Sequence, residues 1–245
     1  MPALYRIVLP ALAGLLLTPW ALPGADPSPD ALYANRGNLA DAQRAAAIWQ
    51  RAIDRDRSQF EAAWKRARAA YWIGKHLDED AGKRELEAGM AAARLAIAAA
   101  PDRPEGHFWL AANMGALAER GGLRAGLRYR GAIRDSLERV KAIDPAFQDG
   151  SADRALGRWY YLVPGLFGGS KRKSEEHLRQ SLTYNPHSIA SRYFLAETLV
   201  ARDRDQEAIA ELQRILGTPP DPDWRPEDLE FKAKARALVA RLREN

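Results

Sequence analysis

The side chains suited to acid–base, metal or nucleophilic chemistry are few in this chain and poorly spaced for it. Its four histidines are His76, His107, His177 and His187. None stands in an HExxH motif, and no two share a helical spacing that would aim both at one metal ion. Cysteine is absent, which excludes disulfides, thiolate zinc sites, cysteine nucleophiles and a lipid-bearing N-terminal cysteine. No G-x-S-x-G elbow occurs. Glu175 and Glu176 are adjacent, so on a helix they point in different directions and do not share a proton. The run Gly165-Leu-Phe-Gly-Gly-Ser-Lys-Arg-Lys-Ser174 has the composition of a phosphate loop. It misses the spacing, because Ser170 stands where the second glycine belongs and no strand precedes it. A helix starting near Ser170 would still offer free N–H groups beside three basic side chains, so Ser170 and Lys171 are candidates for holding an anion. A plain Ser170 cap with solvent-facing lysines is the alternative. No metal, cofactor or catalysis is expected; the chain is expected to bind rather than to react.

Composition narrows the partners. The 245 residues carry a formal charge of +5, and 47% are apolar, enough for a sizeable core. Charges alternate in sign, as in Arg55-Asp56-Arg57 and Arg202-Asp203-Arg204-Asp205. Such mixing marks solvated helix surfaces, and a nucleic-acid partner is not expected. Residues 1–25 have the layout of a secretory signal: a short positive start to Arg6, an apolar run Ile7–Leu22, then Pro23-Gly24-Ala25. The apolar run is short for a bilayer span. Cleavage after Ala25 with a periplasmic or secreted destination is the expectation, and no membrane span would remain. An uncleaved anchor and a buried N-terminal helix are the alternatives. Residues 26–37 read as a linker.

The elements that must position any binding side chains are helical. Prolines close successive helix-like runs at Pro101, Pro145, Pro186 and Pro219-Pro220. The interval from Pro186 to Pro220 is 34 residues, the tetratricopeptide period. The two earlier intervals, 44 and 41 residues, equal that period plus loop insertions around Gly121–Gly126 and Val163–Gly169. Large–small pairs recur at Leu110-Ala111, Leu156-Gly157 and Leu195-Ala196; the small member lets the partner helix approach and the large one fills the adjoining hole. Trp64 and Tyr71 stand seven apart, on positions that favour the core. Helix B of the second unit is expected over Arg130–Ile143, that of the third over Lys171–Tyr184, and a closing helix over Pro226–Arg243. The predicted fold is all-α: a right-handed α-solenoid over residues 38–245, with about four helix pairs, a C-terminal capping helix and almost no sheet.

On that scaffold, the helix A positions facing the concave groove are Phe108 and Ala112 in one unit. In the next they are Arg154, Arg158 and Tyr161, and in the last Tyr193, Glu197 and Val200. Arginines mixed with aromatics suit a peptide segment, a carboxylate-bearing molecule or a partly apolar ligand. The two glycine-rich insertions are expected to pack over a groove end or meet a partner.

Trp64-Lys-Arg-Ala-Arg-Ala-Ala-Tyr-Trp-Ile-Gly74, His107-Phe-Trp-Leu-Ala111 and Leu156-Gly-Arg-Trp-Tyr-Tyr-Leu-Val-Pro-Gly165 together resemble the tetratricopeptide proteins related to the T component of TRAP transporters. The Leu-Gly-Arg-Trp stretch is also similar to the repeat domain of the regulator of microtubule dynamics proteins. The first resemblance implies an accessory of solute uptake that partners a periplasmic solute-binding protein or takes a small apolar ligand. This chain departs from it in having no lipid-anchor cysteine. A purely structural scaffold for envelope assembly, with no small ligand, is the alternative.

Overall fold

The computed structural model describes residues 27–244; the leader expected over residues 1–25 lies outside them. Eleven α-helices form in this span, and no strand is present among the described residues. A short α1 (Pro29–Ala34) precedes α2 (Leu39–Arg55). Four hairpins follow: α3 (Phe60–His76) with α4 (Glu79–Ala99), α5 (Pro104–Arg120) with α6 (Gly122–Ile143), α7 (Phe147–Leu162) with α8 (Lys171–Tyr184), and α9 (Ile189–Val200) with α10 (Asp205–Gly217). The closing helix is α11 (Arg225–Glu244). The all-α repeat array expected from the proline intervals is the fold observed.

Local chemistry sets most of the boundaries. Ser28, Asn38, Asp78, Ser170 and Ser188 each accept a backbone N–H at the start of a helix, which satisfies a donor that the helix itself leaves unpaired. Pro104 opens α5 at its first turn, where the missing N–H costs nothing. Ser28 and Pro29 together fold α1 inside the segment 26–37 that reads as a linker.

The large–small pairs work as packing devices. A Cβ added to Gly157 would stand 2.5 Å from Leu178 Cγ, so α7 and α8 touch where only glycine fits. Leu156, Leu195 and Ala196 are fully buried. Two apolar cores result: one from Leu32 to Trp159, the other from Leu178 to Val239. The division falls at the loop between α7 and α8.

The first insertion departs from the sequence expectation. Residues 121–126 are not a loop; α6 starts at Gly122, whose φ of +64° makes the only break after α5. Leu123, Leu127 and Arg130 keep a helical face through this stretch, and Gly126 looks into open space, so its small size is tolerated. The second insertion is a true loop. It holds one 3-10 turn, Gly165–Phe167, and Gly168 at φ +101° turns the chain into α8.

The array closes on itself. The backbone returns at α11 to the first helices, where Arg36 is almost fully buried. Its guanidinium donates to both carboxylate oxygens of Glu227 (2.8 and 2.6 Å) and to the Asp223 carbonyl. The rings of Tyr33, Trp72 and Trp224 surround it at 5.1–5.8 Å. His76 of α3 adds a second tie, to Glu230 of α11 (2.7 Å).

Candidate functional site

Closure turns the expected open groove into a concave cavity of about 1340 Å³. Helix α3 contributes Tyr71 and α5 contributes Phe108, Trp109 and Ala112; α7 brings Arg154 and Arg158, and α11 brings Phe231. Tyr71 and Trp109 pack at 5.9 Å between ring centroids, and Phe108 meets Trp109 edge-on at 5.0 Å. One side of the cavity is therefore aromatic, with Phe108 and Trp109 themselves largely buried in the first core.

The sequence-derived groove residues divide between two places. Phe108, Arg154 and Arg158 line the cavity. Tyr193 and Glu197 line a separate recess of about 330 Å³ with Lys234 and Arg241. Arg158 joins the two, donating to Glu197 at 2.8 Å and lying 5.0 Å from the Phe194 ring. Burial pushes the Glu197 carboxyl above its ordinary pKa, while Arg158 and Lys234 oppose the rise. Burial likewise raises the phenols of Tyr161 and Tyr193. Tyr161 lies outside the cavity lining, stacked between Arg158 and Lys171.

Arg154 is different. It is half-buried, and among the described residues it has neither an ion-pair partner nor a hydrogen-bond acceptor. Burial pushes its pKa below the usual arginine value, against the fields of Tyr71, Asp149 and Asp228. Both acids are engaged elsewhere: Asp149 accepts from Asn185 (3.0 Å) and Asp228 from the Asp221 backbone (2.9 Å). A partly desolvated guanidinium at the cavity leaves a planar fork of donors whose geometry matches a carboxylate.

The anion candidate at α8 is engaged within the chain. Ser170 Oγ accepts from the Lys173 backbone N–H at 3.3 Å. Lys171 donates to the Tyr161 carbonyl, with its ammonium 3.5 Å from the centre of that ring. Burial lowers its pKa. Arg172 pairs with Glu176 one turn on. Glu175 points elsewhere and is clamped by Arg179, Arg202 and Arg204, so the two adjacent glutamates do diverge.

Three of the four histidines serve as struts, while His187 lines the cavity. His107 contacts the Pro101 carbonyl at 3.0 Å. His177 bonds the buried Asp153 at 2.7 Å, stacks on Tyr160, and shares Asp153 with Lys141 at 2.9 Å. No group of three metal-ligating side chains forms among the described residues. Sequence reasoning misses the Arg36 clasp, because its partners stand 187 and 191 positions away and no spacing rule spans that distance.

The family model described as regulator of microtubule dynamics protein 1–3 matches residues 30–167, more than half of the chain and most of the first core. The chain belongs to that family. A tetratricopeptide repeat model matches residues 173–242, the second core. No curated protein matches the chain significantly. Among solved structures, a thermophilic tetratricopeptide protein of Thermus thermophilus superimposes with a TM-score of 0.66 at 20% identity, over 86% of this chain and 95% of that one. MamA superimposes with a TM-score of 0.51 at 15% identity, over 82% of this chain and 95% of that one. These likenesses carry the fold and nothing finer. No helix among the described residues is long and apolar enough to cross a membrane.

Proposed function

We propose that this chain is an interaction module whose concave cavity takes an apolar, carboxylate-bearing segment of a protein partner, or a small ligand of the same chemistry. Arg154 carries the proposal: it is the half-buried cation at the aromatic cavity that has no partner among the described residues. Tyr71, Phe108 and Trp109 would take the apolar body while the Arg154 fork holds the carboxylate. Arg158, already occupied by Glu197, supports the wall.

Export rests on the three-part layout of residues 1–25. A role beside a solute-binding protein in TRAP-type uptake rests on the three motifs of Trp64–Gly74, His107–Ala111 and Leu156–Gly165. Those motifs also fall within the segment matched by the regulator of microtubule dynamics model. The binding reading therefore stands apart from the uptake reading.

Affinity capture with the native chain should retain a defined partner or an acidic small molecule, and Arg154→Ala should release it. Capture that survives Arg154→Ala together with Phe108→Ala would exclude the cavity as the binding site.

A further inference from the structure

The two glycine-rich segments meet at one rim of the molecule. Leu123, Leu127 and Arg130 fall at i, i+4 and i+7 on one face of α6. The Arg130 guanidinium lies 5.8 Å from the centre of the Phe167 ring, in the loop after α7. Trp159 of α7 donates to the Arg130 carbonyl at 2.9 Å and fixes the two segments together. Six large apolar side chains are exposed among the described residues, and four belong to this rim: Leu123 (63%), Leu162 (44%), Leu166 (90%) and Phe167 (39%).

The sequence around these two segments is one-sided in charge, although Arg134, Arg158 and Arg172 pair with acids from outside it. No acid occurs between Glu119 and Asp135 or between Asp153 and Glu175, while those two stretches hold ten lysines and arginines. Arg124, Arg128 and Lys173 are exposed and form no ion pair among the described residues. Exposed aliphatic tips beside unpaired cations are the composition of an interfacial membrane anchor.

We infer that this rim docks the protein on the surface of an anionic lipid bilayer. Leu123, Leu166 and Phe167 enter the boundary between headgroups and acyl chains, and Arg124, Arg128 and Lys173 face the lipid phosphates. A second copy of the chain is a poorer occupant, because a symmetric contact would set the same cations against each other. A nucleic acid is poorer too, since the tip is aliphatic except for Phe167 and offers no run of stacking surfaces. Leu123 and Leu162 also line the cavity, whereas Leu166, Phe167 and the three cations do not, and those five residues carry the contact.

The chain has no cysteine, so Leu166→Cys in the full chain can carry a single environment-sensitive fluorophore, with Arg57→Cys on the α2–α3 turn as the control position. The probe is vesicles of equal parts phosphatidylglycerol and phosphatidylcholine. On them the label at 166 should shift to the blue and be quenched by brominated acyl chains, and the label at 57 should do neither. Pure phosphatidylcholine or high salt should abolish the shift. Replacing Arg124, Arg128 and Lys173 by Gln should weaken the response about fivefold per charge removed. Reading the label locally separates this contact from any membrane binding by the apolar residues 7–22. The inference is overturned if position 166 stays in water while the chain co-sediments with the vesicles, or if neutralising the three cations changes nothing. It is also overturned if an oligonucleotide, and not the vesicles, moves the label.

Discussion

Asp153 shows how single side chains hold the two halves of this protein together. It is buried on α7 and accepts from Lys141 of α6 and His177 of α8, so three helices meet on one carboxylate next to the division between the cores. Burial alone would raise its pKa, but the hydrogen bonds and charges of His177 and Lys141 outweigh burial and hold it below the ordinary value. A depressed carboxylate contributes stability that is complete above the unfolded pKa, about 4. That contribution is lost as the pH falls through the lower folded value. Asp153→Asn should cost about 3 kcal/mol at neutral pH, because it leaves Lys141 without its counter-charge and His177 without its carboxylate partner. Urea denaturation at pH 7 and again near pH 3 checks this: the two proteins should differ at pH 7 and converge in acid.

Other residues are partly legible in the sequence. Repeat register alone puts Phe108, Arg154 and Arg158 on the concave side, and all three line the cavity. Which arginine is free cannot be read that way. Arg158 and Arg154 stand one helical turn apart on α7, and only the fold brings Glu197 of α9 to one of them.

At the scale of elements, the clasp between the first helices and α11 decides whether the molecule is a ring or an open arc. Arg36→Ala removes a buried bidentate pair and its aromatic cage, and should destabilise the closed form by about 3–5 kcal/mol. Hydrogen exchange should then rise in α11 and α1 first, while α3 to α8 keep their protection. Uniform loss of protection would mean that the clasp is part of one cooperative core.

His76 adds a pH dependence to the same contact. Both its ring nitrogens face acceptors, Glu230 and the Trp72 carbonyl, and the hydrogen bond to Glu230 is the main cause that raises its pKa. A raised histidine contributes fully below about pH 6.5, and the contribution disappears as the pH rises through the folded value. Exchange in α11, corrected for intrinsic rate, should increase between pH 6 and pH 9, and His76→Gln should flatten that trend.

The hairpins themselves are readable because local rules write them: caps, closing prolines and large–small pairs act within a few residues. The stretch 121–126 reads as a loop because of its glycines, whereas it forms the first turns of α6, whose buried face begins only at Ile133. The clasp is not readable at all, since it joins opposite ends of the chain.

For the whole molecule, the consequence of closure is a deep, open-mouthed cavity in place of an extended groove. Two cores, each matched by its own family model, contribute facing walls, and α11 lines the remaining side. Stability and the shape of the cavity therefore draw on the same closure, since opening the ring at Arg36 also disassembles the wall that carries Phe231 and Trp224.

The central claim is that the cavity accepts an apolar body through a carboxylate held by Arg154. Titration of the native chain with 1-pyrenebutyrate, read by energy transfer from the cavity tryptophans Trp109, Trp159 and Trp224, tests it most directly. Saturable binding of one molecule per chain is expected. Arg154→Gln should weaken it about 10- to 100-fold, the worth of a charge-assisted hydrogen bond. The exposed Arg44→Gln should leave it unchanged. Equal affinity of the native chain and Arg154→Gln would contradict the claim.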